Sequence, residues 1–326
     1  MLYTRRELGQ LALALPAAGL WRQAASRAAA KPDSKWAGVQ VGLNVPFDFG
    51  DNSMSGDETL ERCLQLGISA IELRSQPVEL FLGAPVATAT AGGAGRSGGR
   101  RGGTPLTPEQ ESARKAAAEE LAKWRASVPM NRVREFKKKY QDAGVDIQIV
   151  KFDNNNIYNQ PDDVLDYCFE LAKSLGARSI SCEISTADTR RVGQFADKHK
   201  MMVGYHGHNR TTPAIWEAAF TEAKYNGANL DLGHFVSGNN TSPVPFLKQH
   251  HDRITHVHVK DMNMNNGPAV PFGEGDTPIR EVLQLIRDNK WRIQATVEFE
   301  YPIPQGSDRM AEIAKCLDYC KQCLLA

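Results

Sequence analysis

The segment Ile254-Thr255-His256-Val257-His258-Val259-Lys260-Asp261 is the stretch from which the fold is best read. Its apolar and polar residues alternate, as in a β-strand, whose successive side chains point to opposite faces. One face carries Thr255, Val257, Val259 and Asp261, and the other carries Ile254, His256, His258 and Lys260. Because unpaired polar groups are costly to bury, two imidazoles and an ammonium on one face indicate a site for a metal and a polar substrate. A hydrogen-bonded structural pair is the alternative for the two histidines.

Further segments of this kind recur along the chain, with helical patterns between most of them. The predicted strands are Val39–Asn44, Ala70–Arg74, Val145–Phe152, Arg178–Glu183, Met201–His208, Ala228–Gly233, Ile254–Asp261 and Ile293–Glu300. Repeated strand–helix alternation gives parallel strands with crossover helices. Eight such units in roughly 250 to 300 residues predict a single-domain (β/α)8 TIM barrel. A doubly wound open sheet is the alternative, but no glycine-rich phosphate fingerprint follows the first strand.

The predicted helices lie between and after these strands. They are Asp57–Gly67, Glu109–Tyr140 with a break near Pro129, Pro161–Leu175, Thr189–Lys200, Ala214–Tyr225, Val244–His250, Thr277–Asn289 and Met310–Leu325. We expect Asp57 to cap the first of them and Gly67 to end it.

The first 30 residues are expected to lie outside the barrel. Thr4-Arg5-Arg6-Glu7-Leu8 opens a modestly apolar segment that leads to the small residues Ala28-Ala29-Ala30. A twin-arginine start, an apolar segment and a small-residue cleavage site are typical of a secretory signal peptide. We therefore expect residues 1–30 to be a twin-arginine signal, residues 31–326 to form the barrel, and the protein to be exported to the periplasm. A bare amphipathic leader or a misassigned start is the alternative.

Composition narrows the class of function. The chain has 326 residues and a formal net charge of +1, which gives no reason to expect a nucleic-acid partner. No apolar run is long enough to span a bilayer, and six cysteines in a chain of this length do not indicate a disulfide scaffold. The Gly- and Arg-rich segment 83–108 cannot bury enough surface to fold, so we expect a disordered insertion. Its arginines could alternatively bind a phosphate or a polyanion.

Polar side chains stand at the carboxyl ends of most predicted strands. They are Asn44, Glu72 with Arg74, Lys151, Glu183, His206 with His208, Asp231, His258 with Lys260, and Glu298 with Glu300. The alternation of the last strand puts Glu298 and Glu300 on one face and Val297 and Phe299 on the other. The active site of a TIM barrel lies at these ends of the strands. We therefore expect the polar strand ends to form one shared active site.

The residue types in this set favour a metal-assisted proton transfer. Carboxylates and imidazoles that converge on one point suit a divalent ion such as Mn, Co, Mg or Zn. Without an ion, several close carboxylates would repel one another and take up protons. The ion would polarise a substrate carbonyl or hydroxyl, and a neighbouring carboxylate or imidazole could move a proton on carbon. Such enolisation serves isomerisation, epimerisation or elimination.

Four motifs, taken in order along the chain, resemble those of a known superfamily. They are Asp231-Leu232-Gly233-His234, His256-Val257-His258-Val259-Lys260-Asp261, Phe272-Gly273-Glu274-Gly275-Asp276 and Thr296-Val297-Glu298-Phe299-Glu300. The pattern resembles the xylose-isomerase-like superfamily of sugar and sugar phosphate isomerases and epimerases, which also includes ketose 3-epimerases, inosose dehydratases and apurinic endonucleases. The resemblance covers roughly residues 39–326. It implies that Asp231, His258 and Glu298 are metal ligands, that His234 contacts the substrate, and that residues 273–276 border the pocket.

The chain departs from the ketose 3-epimerases at the fifth predicted strand. Those enzymes carry a metal-bound glutamate there, whereas this strand ends in His206-Gly207-His208-Asn209. Glu183, at the end of the fourth strand, is the nearest carboxylate that could replace it. We therefore expect Glu183 to be the fourth ligand and to share acid–base work with Glu298. His206 or His208 is expected as a ligand or acid–base group, with a hydrogen-bonded lining pair as the alternative.

Five polar side chains are expected to contact the substrate. They are His234, Lys260, Glu72, Lys151 and His256. For Lys260 three roles stay open: it could bind a substrate oxygen, act as the base if its pKa is lowered, or pair with Asp261 or Glu298.

These expectations give one leading function and three alternatives. The leading function is a divalent-metal-dependent sugar isomerase or epimerase, and export favours a free or glycosidic sugar over a phosphorylated one. The alternatives are a 3-keto-sugar lyase or dehydratase on the same site, an apurinic-endonuclease-like phosphodiesterase, and a non-catalytic sugar-binding protein. The phosphodiesterase would need extra histidines where the second and third strands offer Glu72, Arg74 and Lys151. The sequence leaves open the sugar, the metal and the oligomeric state, including a homo-oligomer.

Overall fold

The computed structural model describes residues 31–85, 107–153 and 157–326, and Pro32–Ala326 forms one compact unit. The strands, numbered along the chain, are β1 (Lys35–Trp36), β2 (Val39–Val45), β3 (Ala70–Arg74), β4 (Asp146–Lys151), β5 (Ser179–Glu183), β6 (Met202–His206), β7 (Asn226–Asp231), β8 (Ile254–Val259), β9 (Asp261–Met262), β10 (Ala269–Val270) and β11 (Gln294–Val297). Eight of them pair in parallel in the order β2-β11-β8-β7-β6-β5-β4-β3, and β3 pairs again with β2. This closed ring confirms the predicted (β/α)8 TIM barrel.

Helices follow most of the barrel strands. They are α1 (Gly56–Gln65), α2 (Ser75–Leu82), α3 (Pro108–Ser127), α4 (Met130–Ala143), α5 (Asp162–Leu175), α6 (Thr189–His199), α7 (Pro213–Glu222), α8 (Leu232–Asn239), α9 (Val244–His250), α10 (Ile279–Asp288) and α11 (Arg309–Leu325). Within the described part of the chain, no helix is both long and apolar enough to cross a membrane.

Local chemistry explains where these helices begin and end. The N-cap of α1 is Ser55, which forms a capping box with Glu58, so the expectation that Asp57 caps this helix is wrong. Asp57 lies instead in the first turn, where a carboxylate also interacts favourably with the helix dipole. Helix α5 carries two aspartates in its first turn and ends at Gly176, whose φ of +86° suits glycine. Pro129 separates α3 from α4, as the sequence predicted.

Two helices of the structure are not among the predicted ones, because no clear break in the sequence pattern precedes them. Helix α2 begins at the residue after β3, and α8 begins at the residue after β7. The strands that carry the polar residues are also shorter than predicted, since β6 ends at His206 and β11 at Val297. The predicted leader, residues 1–30, and residues 86–106 of the predicted insertion lie outside the described residues.

The interior of the barrel is polar, and this feature positions the site. TIM-barrel interiors are usually filled with branched apolar side chains. Here the interior and its carboxyl end contain polar residues that are at most 1% exposed: Glu72, Asn229, Asp231, His256, His258, Lys260, Gln294 and Thr296. Buried polar groups must be paired to be tolerated. The barrel therefore holds a connected polar network whose upper end opens at the carboxyl ends of the strands.

Candidate active site

Four side chains from strands that are neighbours in the barrel converge at its carboxyl end. His206 ends β6, Asp231 ends β7, His258 lies in β8, and Glu298 follows β11. Each offers one ligand atom, these atoms all lie within 4.8 Å of one another, and all four residues are buried. Ligand atoms on opposite sides of a cation with bonds of 2.0–2.2 Å lie roughly 4 Å apart. This central quartet (His206, Asp231, His258 and Glu298) could therefore hold one divalent ion.

The outer hydrogen bonds of the two histidines fit such a role. The Nε2 atom of His258 lies 2.6 Å from Glu72 Oε2, and the Nδ1 atom of His206 lies 2.8 Å from Glu183 Oε2. A metal-binding histidine commonly donates its second ring N–H to a carboxylate, which fixes the ring and its tautomer. Each ring then directs its other nitrogen, Nδ1 of His258 and Nε2 of His206, toward the centre of the quartet.

Two buried atoms at this centre provide a direct test of fit. Nδ1 of His258 and Oε2 of Glu298 are 3.2 Å apart but not in hydrogen-bond geometry; among the described residues His258 Nδ1 has no hydrogen-bond partner, and Glu298 Oε2 has the ion pair with Lys260 Nζ at 2.5 Å instead of one. Buried polar atoms left in this way are costly unless something binds them. A cation placed between a ring nitrogen and a carboxylate oxygen would satisfy both atoms. The donor set therefore fits a divalent metal ion.

Lys260 lies directly beside the quartet. Its Nζ atom is 3.0 Å from Asp231 Oδ2 and 2.5 Å from both Glu298 Oε2 and Glu300 Oε2. Although burial lowers the pKa of Lys260, these carboxylates hold it well above its usual value. Of the roles left open by the sequence, pairing with Glu298 is the one that the geometry displays. Asp261 instead accepts hydrogen bonds from three backbone N–H groups of the loop at residues 273–277.

The charges of the quartet are strongly coupled. Burial acts to raise the pKa of both carboxylates. His258 and Lys260 nevertheless keep the pKa of Glu298 well below normal. Lys260 and His234 do the same for Asp231. Burial acts to lower the pKa of His258, but Glu298 and Glu72 hold it well above its usual value. His258 therefore carries a proton at neutral pH until something else neutralises the carboxylates.

Glu183, predicted as the fourth ligand, lies next to the quartet rather than within it. Its carboxylate contacts His206, His208 Nε2 at 2.7 Å and Lys151 Nζ at 3.1 Å, and its side chain is 26% exposed. Glu183, His206 and His208 form a second group of potential ligands that shares His206 with the first. Burial acts to raise the pKa of Glu183, but His206 and Lys151 keep it well below normal.

Glu72 and His256, predicted to contact the substrate, are placed behind His258. Both side chains are fully buried, and Glu72 Oε2 lies 3.2 Å from His256 Nε2. Burial lowers the pKa of His256 to about 4, so this ring is neutral at pH 7. With His258 they form a third group of potential ligands. Their positions suit support of His258 rather than contact with a substrate.

His234 and His208 line the open side of the site. His234 has a 14% exposed side chain and His208 a 57% exposed one, and their ring centroids are 4.7 Å apart. Burial and Lys260 lower the pKa of His234 to about 3. Burial lowers the pKa of His208, but Glu183 more than offsets this and raises it. The two rings therefore favour opposite protonation states.

Three polar residues at the site were not among the predicted site residues. Asn44 Nδ2 donates to Glu298 Oε1 at 2.8 Å, Glu300 pairs with Lys260, and Asn209 Oδ1 lies 2.7 Å from His234 Nδ1. Asn44 and Glu300 belong to the polar ends of the predicted strands, and Glu300 shares its strand face with Glu298. Asn209 directly follows His208, but its contact joins the loop after β6 to helix α8 and leaves no local signal in the sequence.

Comparison with known proteins finds a partial sequence match to one characterised enzyme and solved structures of similar fold, two of which are given below. Inosose dehydratase of Lactiplantibacillus plantarum is 28% identical over 156 residues, which cover 41% of this chain and 51% of that protein. This chain thus spans about half the length of that curated relative. A xylose isomerase domain protein from Planctomyces limnophilus has a TM-score of 0.57 and 13% identity, covering 88% of this chain and 97% of that one. The 3-keto-D-glucoside 4-epimerase YcjR of E. coli has a TM-score of 0.54 and 12% identity, covering 87% and 98%.

At such low identities the two solved structures show likeness of fold alone. The sequence profile of one family, however, matches residues 116–323, which is more than half of the chain and includes every member of the central quartet. Together with the closed parallel barrel, this match shows that the chain belongs to the xylose isomerase-like TIM barrel family.

Proposed function

We propose that the protein is a divalent-metal-dependent sugar isomerase or epimerase. The central quartet carries this proposal, because two imidazoles and two carboxylates converge within 4.8 Å beside groups that can move protons. A divalent ion (Mn, Co, Mg or Zn) bound there would act as a Lewis acid on a substrate carbonyl or hydroxyl oxygen. Family membership and the likeness in fold to a sugar epimerase support the proposal.

The residues around the quartet divide the proton transfer between them. Glu183 is ionised and partly exposed, so its carboxylate can take the proton from the substrate carbon. His208 contacts Glu183 Oε2 and can exchange that proton with water, because its ring is exposed. Lys260 Nζ can donate a hydrogen bond to the substrate oxygen on which negative charge develops. Return of the proton by the same carboxyl to the neighbouring carbon completes an isomerisation, whereas an epimerisation is completed by a second acid that delivers a proton to the opposite face of the carbon.

Elimination of water on the same site is the second candidate. Where a ketose 3-epimerase carries a second glutamate, β6 ends in His206, which leaves Glu183, with a 26% exposed side chain, as the most exposed of the described carboxylates around the quartet. One carboxylate next to a polarised carbonyl can serve β-elimination from a keto sugar, since it takes the proton from carbon and returns it to the departing hydroxyl, which leaves as water. The partial match to inosose dehydratase supports this alternative.

Elemental analysis of the purified protein tests the metal site first. Wild type should contain about one equivalent of a divalent ion, and Glu298→Gln and His258→Ala should lose it. Glu281→Gln, which alters an exposed carboxylate on α10, is the matched control and should retain the ion. Two or three equivalents would favour the phosphodiesterase alternative. No metal under any loading condition would overturn the metal-dependent mechanism and leave a sugar-binding protein.

Proton exchange then tests the reaction. Sugars and 3-keto glycosides are incubated with the metal-loaded protein in D2O, and deuterium at carbon is followed by NMR. Deuterium in an epimer or isomer supports the leading proposal, whereas loss of water with formation of an unsaturated product supports the dehydratase. Glu183→Gln should abolish exchange and keep the metal. Exchange that persists unchanged in this variant would contradict the role of Glu183.

We also propose that the protein is exported to the periplasm. The support is the Arg5-Arg6 pair and the small-residue run at residues 28–30. Replacement of both arginines by lysine should keep the protein in the cytoplasmic fraction. Unchanged fractionation would argue against twin-arginine export.

A further inference from the structure

A basic depression lies at the end of the barrel opposite the active site. It has a volume of about 340 Å³ and is lined near β1, the start of β11 and the end of α10. A second depression of about 290 Å³ shares Arg178, Trp291, Arg292 and Ile293 with it. Because the barrel strands are parallel, these residues at their amino ends are remote from the quartet at their carboxyl ends. We call the two adjoining depressions the basal cavity.

The charge of the larger depression is one-sided. Five cationic side chains line it, and no carboxylate does: Lys35, Arg178, Arg287, Lys290 and Arg292. Among the described residues, only Arg287 of this set forms an ion pair, with Asp288 at 2.8 Å. Asp252 is the acidic residue that lines the smaller depression. The lining therefore carries an excess of positive charge that the described part of the protein does not compensate.

Arg178 is the most constrained member of this set. Its guanidinium donates to the backbone carbonyls of Arg292 and Thr255, each at 2.7 Å, and its buried Nε atom has no hydrogen-bond partner among the described residues. Burial and the nearby charge of Arg292 lower the pKa of Arg178 to about 10. The fold thus fixes this cation against a like charge, an arrangement that a bound anion would stabilise. Gln148 and Gln294 add amide groups to the lining.

We propose that the basal cavity is a binding site for a phosphate-bearing small molecule. Guanidinium and ammonium groups are the usual partners of phosphate oxygens in proteins. A dianion would offset more of the four unpaired positive charges than a single carboxylate would. The volume is at the lower end of the range for small-molecule sites, so it suits a sugar-sized phosphate or phosphate itself.

Calorimetric titration of the metal-loaded full chain tests the proposal. The probes are inorganic phosphate and glucose 6-phosphate, and potassium chloride at equal ionic strength is the blank. Wild type should bind phosphate saturably, and Lys290→Gln/Arg292→Gln should weaken binding at least tenfold. Arg134→Gln/Lys137→Gln removes the same charge from a shallower basic surface on α4 and should have no effect. Tighter binding of glucose 6-phosphate would assign a sugar phosphate, and equal binding would assign free phosphate.

Glu298→Gln separates this site from the active site, since it should leave phosphate binding unchanged even if the metal is lost. Equal affinity in all variants, or heats that disappear against the chloride blank, would overturn the proposal. Loss of phosphate binding in Glu298→Gln alone would show that the anion binds at the active site instead.

Discussion

The protonation of single residues is set by contacts that can be followed atom by atom. The Ser237 hydroxyl donates to the backbone carbonyl of Gly267. Its oxygen can therefore accept from Asn209 Nδ2, which lies 3.2 Å away. With the amide in this orientation, Asn209 Oδ1 faces His234. His234 must then carry its proton on Nδ1, which leaves the lone pair of Nε2 facing Lys260 Nζ at 3.2 Å. The pKa of about 3 keeps this ring neutral across the physiological range.

Asn209→Leu should release this tautomer. We expect ¹⁵N NMR of the imidazole nitrogens to change from a pure Nδ1–H form of His234 to a mixture, and turnover to fall by roughly 10- to 100-fold, as for other residues that orient a functional histidine. Asn239→Leu is the matched control. Asn239 lies on α8, the helix that carries His234, but its amide donates to two backbone carbonyls and does not contact His234. An unchanged His234 spectrum in Asn209→Leu would contradict the assignment.

The raised pKa of His258 predicts how metal binding depends on pH. Glu298 and Glu72 keep the ring protonated at neutral pH despite its burial, and a protonated nitrogen cannot be a ligand. Binding must therefore release a proton, so affinity should rise with pH by up to about tenfold per unit until the pKa of His258 is passed. Calorimetry in buffers of different ionisation enthalpy counts the proton. Affinity that is flat between pH 6 and 8 would contradict this coupling.

At the scale of elements, one buried ion pair fixes the long helix α3 to neighbouring helices of the barrel. Arg125 Nε lies 2.8 Å from Glu79 Oε1, both side chains are at most 3% exposed, and Tyr167 OH donates to the same carboxylate at 3.1 Å. These contacts join α3 to α2 and α5. Removing one partner of a buried pair leaves a charge without compensation in a medium of low polarity.

Arg125→Leu should therefore lower the free energy of unfolding by about 3–5 kcal/mol, measured by urea denaturation. Glu79→Leu/Arg125→Leu removes both charges and should recover much of the loss. Lys138→Leu breaks an exposed ion pair on α4 and should leave the denaturation midpoint unchanged. If Arg125→Leu behaves like Lys138→Leu, the pair does not fix α3.

The elements were predictable from the sequence to the extent that their signals are local. Strand alternation identified the faces of β8 and β11, and glycines marked several helix ends. Helix α8 was missed because Asp231 belongs both to β7 and to the helix: its Oδ1 atom caps α8 by accepting from the His234 N–H, while Oδ2 faces the quartet. The Asp-x-x-His motif is thus also a capping signal, which was interpreted only as chemistry.

At the scale of the whole molecule, closure of the barrel determines contacts that no local pattern contains. Glu72 and His258 are 186 residues apart in sequence and meet across the barrel interior at 2.6 Å. The same closure places His206 with Asp231, His258 and Glu298, and sets Glu183 beside them. The sequence predicts which strands end in polar residues, but which of these side chains meet depends on the tilt and register of eight strands.

Because four separate strands contribute to the quartet, a bound ion should stabilise the entire barrel. A ligand that binds only the folded state, present at a concentration 100 times its Kd, adds about 2.7 kcal/mol to the free energy of unfolding. For a domain of this size, this corresponds to a rise in Tm on the order of 5 °C. Scanning calorimetry with Mn²⁺ and then with chelator should show this rise and its reversal in wild type. His206→Gln should lose most of the shift. Glu183→Gln should retain most of it, because Glu183 contacts the His206 ring but is not itself a member of the quartet. Loss of the shift in Glu183→Gln but not in His206→Gln would make Glu183 the fourth ligand, as the sequence alone had suggested.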